Sequence, residues 1–215
     1  MQSTKTIKVD PRNPSERELM PVAAAVKAGE LVVFPTDTVY GIGANALNPK
    51  AVLKVFKAKD RPVDKPLILL IAEPQDAERY AAQISSTARK LMKEYWPGPL
   101  TLIFKRSAAV LDAVTAGGET VGIRCPDNDI VRLLIKLSGV ALATTSANIA
   151  GKPSPKTAKE VEEGLRGKVA YIVDGGQTKL GVESTVVDVS TDEPRLIREG
   201  YIPWEEVLSK LGLYK

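Results

Sequence analysis

Leu31-Val32-Val33-Phe34-Pro35-Thr36-Asp37-Thr38-Val39-Tyr40-Gly41 reads as a short buried strand running straight into a polar loop. Four consecutive apolar residues without polar alternation belong inside a sheet rather than on a half-wet face. A strand end is a common place for a site, because the sheet fixes the loop that follows. Thr36 and Thr38 offer hydroxyls there, and Asp37 a carboxylate. A Pro-Thr-Asp turn whose side chains satisfy their own backbone explains the same residues equally well.

Outward from this stretch, strands and helices alternate irregularly. Asn13, Pro14 and Glu16 predict a helix start, running to about Lys27 and closed by Gly29, with Pro21 expected to kink or split it. Asn48-Pro49 opens a helix to about Ala58. Strands are expected at Leu67–Ile71, Leu100–Lys105, Thr120–Arg124, Ala141–Thr145, Val169–Val173 and Ser184–Val189. Helices are expected from Ser85 or Ser86 to Tyr95, and at Asn128–Leu137, Thr157–Leu165 and Pro203–Leu211. Adjacent strands joined by short Gly/Pro links imply some antiparallel pairing. The expected fold is α/β in the α+β-like sense: one twisted mixed sheet surrounded by helices. No linker divides the chain, so residues 1–215 are read as one domain.

Composition narrows the chemistry. Of 215 residues, 44% are apolar and 5% aromatic, so the core is aliphatic. Thirty basic and 26 acidic residues leave a formal charge of +4, a modest excess with no run of five basic residues. Histidine is absent, which removes Ser-His triads and His metal ligands together. The one cysteine, Cys125, excludes an intrachain disulfide and reads as a packed thiol. No apolar run approaches a membrane span, and Met1 to Asp10 has no signal-peptide core, so the expectation is a cytoplasmic protein without membrane contact. No protein metal site is expected.

Several loops suit phosphate. Lys59-Asp60-Arg61-Pro62 sets two cations two residues apart. Pro62 biases Arg61 toward extended backbone, in which alternate side chains point the same way. A fork and a point charge would then face one polyphosphate, and both side chains are expected to be solvent-facing. A solvated helix end is the plainer reading. Thr144 to Asn148 offers small hydroxyls, an amide and backbone N–H groups, or simply a turn and a cap. Arg124 ends an apolar strand, where a cation must be paired, with a ligand carboxylate or internally with Asp127 or Glu119. Arg198 follows Leu196-Ile197 in a similar setting, and Gly181 to Thr185 opens a strand with two hydroxyls. Neither a Walker A loop nor GxGxxG is present.

Phe34 to Gly41, Lys59 to Pro62 with Lys65-Pro66-Leu67, Trp96 to Thr101, Arg124-Cys125-Pro126, Ser146-Ala147-Asn148 with Pro153-Ser154-Pro155, Gly181 to Thr185 and Arg198-Glu199-Gly200 occur in this order. Together they resemble the YrdC-like family of threonylcarbamoyl-AMP synthases, over about residues 13–200. The resemblance implies a deep concave basic cavity. It also implies a nucleotidyltransferase that condenses L-threonine, bicarbonate or CO2 and ATP into L-threonylcarbamoyl-AMP and pyrophosphate. Threonine would be held by Thr36, Arg124, Thr144 and Ser184. ATP would be held by Lys59, Arg61, Thr120, Ser146, Asn148, Ser154 and Arg198, with Lys59 and Arg61 catalytic. Mg2+ would arrive on the ATP phosphates. A separate transferase complex would then modify tRNA beside the anticodon, and a weak direct tRNA contact is left open. Nothing matches the further C-terminal domain of some members. Asn128 stands where many relatives have His, and Leu70 where some do. Val182, Val39 and Tyr40 are the candidates to read the threonine methyl. The rival readings are a non-catalytic RNA-binding module, disfavoured by few aromatics and low charge, and the carbamoyl-adenylate chemistry of hydrogenase maturation, which belongs to much longer chains.

Overall fold

The computed structural model describes residues 3–213, among which ten strands form one mixed sheet flanked by eight α-helices. The strands are β1 (Lys5–Lys8), β2 (Val32–Phe34), β3 (Gly41–Asn45), β4 (Ile68–Leu70), β5 (Leu100–Lys105), β6 (Thr120–Arg124), β7 (Leu142–Ser146), β8 (Tyr171–Asp174), β9 (Thr185–Asp188) and β10 (Arg195–Arg198). The helices are α1 (Glu16–Lys27), α2 (Pro49–Lys59), α3 (Ala77–Tyr80), α4 (Ser86–Tyr95), α5 (Asp112–Thr115), α6 (Asp129–Ser138), α7 (Ala158–Leu165) and α8 (Trp204–Leu211). Across the sheet the order is β1-β8-β2-β3-β7-β4-β6-β5-β9-β10. Parallel pairs (β1/β8, β2/β8, β4/β6, β5/β9) mix with antiparallel ones (β2/β3, β3/β7, β4/β7, β5/β6, β9/β10), as the short Gly/Pro links imply.

Alternation sends each strand's residues to two cores. On β2, Val33 joins the larger cluster with Tyr40, Ile42, Val52, Val55, Leu91, Leu102 and Phe104. Val32 and Phe34 point the other way, with Leu19, Val22 and Val26 of α1 and Ile130, Leu134 and Ile135 of α6. Every residue from Leu31 to Tyr40 is buried, so the deciding stretch lies in the interior along its whole length.

Local chemistry sets the helix ends. Asn48 caps α2 by accepting from Ala51 N at 3.1 Å, with Pro49 at the first helical position. Asn128 caps α6 in the same way, and Gly139 closes it at φ 69°. The expected start of α1 at Asn13 is corrected: Ser15 is the cap, in a reciprocal capping box with Glu18 that outcompetes the earlier residues. Exposed Pro21 does not split α1. The strands β1, β3 and β10 and the short helices α3 and α5 were not anticipated. In β3, Gly41 and Gly43 hide the strand signal. A Cβ at Gly43 would stand 2.9 Å from both the Phe34 ring and Thr144 Oγ1, so packing demands glycine. No helix among the described residues is long and apolar enough to cross a membrane.

Candidate functional site

A cavity of about 310 Å3 opens where the ends of several strands meet. Cross-strand register builds one wall. Thr144 on β7 stands opposite Gly43 and Ile68, and Leu70 opposite Arg124, so these side chains share a face. Thr101 of β5, with Ser184 just before β9, continues it, their hydroxyls 2.9 Å apart. All four expected threonine residues, Thr36, Arg124, Thr144 and Ser184, line this cavity. So do Arg61, Ser146 and Arg198.

Arg124 is only 4% exposed. Its Nε donates to Gly98 O at 3.0 Å, Nη1 to Thr38 Oγ1 at 2.8 Å and Nη2 to Asp37 Oδ1. The Trp96-Pro97-Gly98-Pro99 turn thus serves Arg124. Gly98 is required there, because a Cβ would run into Tyr95 O. The internal partner is Asp37, neither Asp127, which pairs with Lys179 at 3.4 Å, nor Glu119. Three of five guanidinium N–H donors are used, leaving two. Burial pulls the Arg124 pKa down, and the Asp37 carboxylate opposes that. Asp37 Oδ2 is buried without a hydrogen-bond partner.

Lys59 corrects two expectations. It is the last residue of α2, and Asp60 follows in left-handed conformation at φ 52°, so Lys59 and Arg61 are not alternate residues of an extended chain. Nor is Lys59 solvent-facing, at 3% exposure. Its Nζ donates to Ser146 O and lies 3.4 Å from Thr145 Oγ1 and Asn148 Oδ1, so it is fastened to the Ser-Ala-Asn loop. Burial, reinforced by the Arg61 charge, brings its pKa down to about 8. Half-buried Arg61 donates to Lys65 O at 3.4 Å and Pro66 O at 3.1 Å. Arg61 lines the cavity, whereas Lys59 does not and touches it only through Ser146, to whose carbonyl its Nζ donates.

Sequence reasoning missed Glu183. Its carboxylate stands in the cavity wall, accepts from Ser154 Oγ at 2.6 Å and pairs with Arg198 Nη1 at 2.6 Å. Two expected ATP ligands are therefore held by one acid. Arg198 also donates to Ser184 O at 2.9 Å. Gly200 makes this close approach possible, because a Cβ would collide with Glu183 O and Ser184. Thr120 is not brought to the cavity: it is exposed at the far end of β6, opposite Lys105, four residues or ~13 Å along the strand from Arg124. Two of the three arginines in the wall carry internal carboxylate partners, so the cavity is less one-sidedly basic than expected. Among the described residues no cluster of three or more carboxylate, His or Cys groups is arranged to hold a metal ion.

The family model for Sua5, YciO and YrdC, described as telomere recombination, matches residues 24–200. A threonylcarbamoyl-AMP synthase of Pyrococcus abyssi is 46% identical over 96% of this chain and 61% of its own. One of Bacillus subtilis is 45% identical over 94% of this chain and 59% of its own. The chain thus spans about three fifths of the length of these relatives. The crystal structure of P. abyssi Sua5 complexed with L-threonine superposes with a TM-score of 0.94 at 44% identity, over 98% of this chain and 62% of that one.

Proposed function

The chain belongs to the Sua5, YciO and YrdC family, and from that premise we propose that it is an L-threonylcarbamoyladenylate synthase. The observation that carries the reading is Arg124: a buried guanidinium with two donors to spare, set among the hydroxyls of Thr38, Thr144 and Ser184 in one cavity. That arrangement suits the carboxylate and amine of a small hydroxy amino acid. The threonine named with the P. abyssi Sua5 structure supports the same choice.

In this reading the two free N–H groups of Arg124 take the threonine carboxylate. The neutral amine attacks bicarbonate, with loss of water, or CO2, with loss of a proton to solvent, to give an N-carboxylate. That carboxylate attacks the α-phosphorus of ATP, and pyrophosphate leaves. Lys59 and Arg61, with Ser146 and Asn148 beside Lys59, receive the phosphates, and Arg198 and Ser154 join when Glu183 releases them. The chain's work is alignment of three anions and stabilisation of the charge that develops in transfer. Mg2+ belongs to the substrate as Mg-ATP, where it offsets phosphate charge.

The product is an activated carbamoyl donor. Its use in modifying tRNA beside the anticodon, through a separate transferase complex in the cytoplasm, is part of this proposal. The test is to incubate the protein with ATP, bicarbonate, Mg2+ and threonine and to seek threonylcarbamoyl-AMP by mass spectrometry. Its absence from folded, threonine-binding protein would overturn the reading.

A further inference from the structure

A second hollow, of about 210 Å3, lies beside the first cavity. Thr36 lines both, Arg124 only the first and Asp37 only the second, so Asp37 stands at the partition between them. Its Oδ1 is committed to Arg124 Nη2, and its Oδ2 has no partner. Thr178 Oγ1, in the lining of the same hollow, is in the same condition. Two of the three buried side-chain oxygens and nitrogens without a hydrogen bond among the described residues therefore belong to residues of this one hollow. Asp37 is 2% exposed and Thr178 7%, so bulk water does not answer them. Leu180 N donates to Asp37 O at 2.9 Å, which runs residues 178–180 beside Asp37. Buried polar atoms of this kind are costly unless something meets them. An ionised carboxylate only accepts, so Oδ2 calls for a proton donor or a cation. Three carboxylates and one ammonium line the hollow, and Asp127 and Asp129 are its exposed acids. Asp127 pairs with Lys179 at 3.4 Å, and Asp129 answers the partial positive charge at the start of α6. Asp37 Oδ2 is the carboxylate oxygen left over in the interior.

We propose that this hollow binds a monovalent metal cation, sodium or potassium, on Asp37 Oδ2 and Thr178 Oγ1, and that the ion strengthens the hold of Arg124 on an anionic ligand. One buried carboxylate suits one positive charge. A divalent ion wants more acid than that, and among the described residues no three acids are placed to hold one. The ion draws on the same carboxylate that neutralises Arg124, so the guanidinium faces the first cavity with more of its charge uncompensated. A carboxylate bound to Arg124 restores the balance. Cation and carboxylate therefore favour each other, and the coupling is reciprocal. The coupling to threonine rests on the functional reading above; the ion site itself does not.

Thermal unfolding in sodium, potassium and choline chloride at equal concentration tests the site. Choline carries the same charge but is neither a bare ion nor an N–H donor, and chloride is common to all three. Wild-type protein is expected to melt about 2–6 °C higher in at least one alkali chloride than in choline chloride. Thr178→Val keeps the side-chain shape and removes a hydroxyl that bonds nothing in the protein. It should fold normally and lose the alkali-specific gain. Equal melting in all three salts overturns the proposal and leaves the two oxygens to ordered water. A gain that survives Thr178→Val also overturns it, because the ion then acts elsewhere. Calorimetric titration of L-threonine in the same salts reads the coupling. Affinity should be about fivefold or more higher in the stabilising alkali salt, and indifferent to the cation in Thr178→Val. Threonine affinity equal in all three salts refutes the coupling to Arg124. A protein that shows the alkali gain but binds no threonine keeps the ion site and sinks the functional reading; one that binds threonine and shows no alkali dependence sinks this inference alone.

Discussion

Asp37→Asn keeps the shape of the interior and removes one charge. Asp37 is 2% exposed and Arg124 4%, so neither has water to fall back on. Arginine does not shed its proton in proteins, and the variant must bury an uncompensated guanidinium. Removing one partner of a buried ion pair costs about 3–5 kcal/mol. The asparagine carbonyl still accepts from Nη2, and Gly98 O and Thr38 Oγ1 keep their bonds, which favours the lower end, about 3 kcal/mol. For a domain of this size each kcal/mol moves the melting temperature by ~2–4 °C, so the expected fall is roughly 6–12 °C. Thermal unfolding followed by circular dichroism measures it, with urea unfolding as a check. The ligand supplies the second arm. If Arg124 holds the threonine carboxylate, saturating threonine replaces the missing charge and raises the melting temperature of the variant more than that of the wild type. A variant within about 1 kcal/mol of wild type, or one that threonine stabilises no further than wild type, would refute the reasoning.

Four further outcomes are expected. Lys59→Ala and Arg61→Ala should each weaken ATP use by roughly tenfold to 150-fold, the worth of one charge-assisted hydrogen bond, with only Lys59→Ala also losing stability because Lys59 is buried; steady-state kinetics beside urea unfolding would show a wrong assignment as unchanged KM and kcat. Since the Lys59 pKa lies at about 8 in the empty site, Lys59 is charged below that pH and neutral above it. ATP affinity should therefore hold steady below about pH 7 and fall above about pH 8, by up to about tenfold per unit, and an affinity flat to pH 10 would count against a phosphate role. Glu183→Gln should tighten ATP binding about twofold to fivefold, on the scale of one screened charge interaction, by freeing Ser154 and Arg198, whereas weaker binding would make Glu183 an organiser of the site. L-serine should be a poorer substrate than L-threonine by about tenfold to 200-fold, because one buried methyl is worth that much; of the expected candidates Val39 and Tyr40 line the cavity, with Ile68, Leu70 and Val186, while Val182 is 47% exposed and outside it. Equal kcat/KM for the two amino acids would mean that the methyl meets no wall.

What was legible in the sequence were features whose cause is local. Asn48-Pro49, Asn128 and Gly139 carry capping chemistry that acts within one helical turn, and α2 starts, and α6 starts and stops, where that chemistry says. The apolar run Leu31–Phe34 is buried because it has no polar face to expose. The failures have non-local causes. Gly41 and Gly43 form a strand because Phe34 and Thr144 crowd them from neighbouring strands, and no property of a glycine announces its neighbours. Arg61 reaches the cavity and Lys59 only the loop beside it, and the alternation argument for them failed at Asp60, whose left-handed cap ends a helix rather than beginning a strand. The hydroxyls at 36, 144 and 184 were assigned to threonine through family resemblance, while their hydrogen-bond partners emerged only from the coordinates.

Asp37, expected as a carboxylate at the strand end but not as the partner of Arg124, and Glu183, which was overlooked, share a physical reason for being there. If the proposed function holds, the cavity takes a carboxylate and a polyphosphate and has to persist without either. A buried guanidinium facing an empty cavity would pay several kcal/mol for desolvation without a partner. Asp37 meets that demand permanently for Arg124: it takes one Nη2 hydrogen and leaves two N–H donors for an incoming anion. Glu183 meets it for Arg198, whose side chain is 46% exposed, and there the pair is weak because water screens it. The consequence is a division of labour. The inner pair is strong and stays, so Arg124 is preorganised and its ligand gains orientation. The outer pair is cheap to break, so Arg198 and Ser154 can exchange one carboxylate for phosphate oxygens at little cost. A sequence that showed only cations at these positions would describe a hollow too unstable to wait for its substrates.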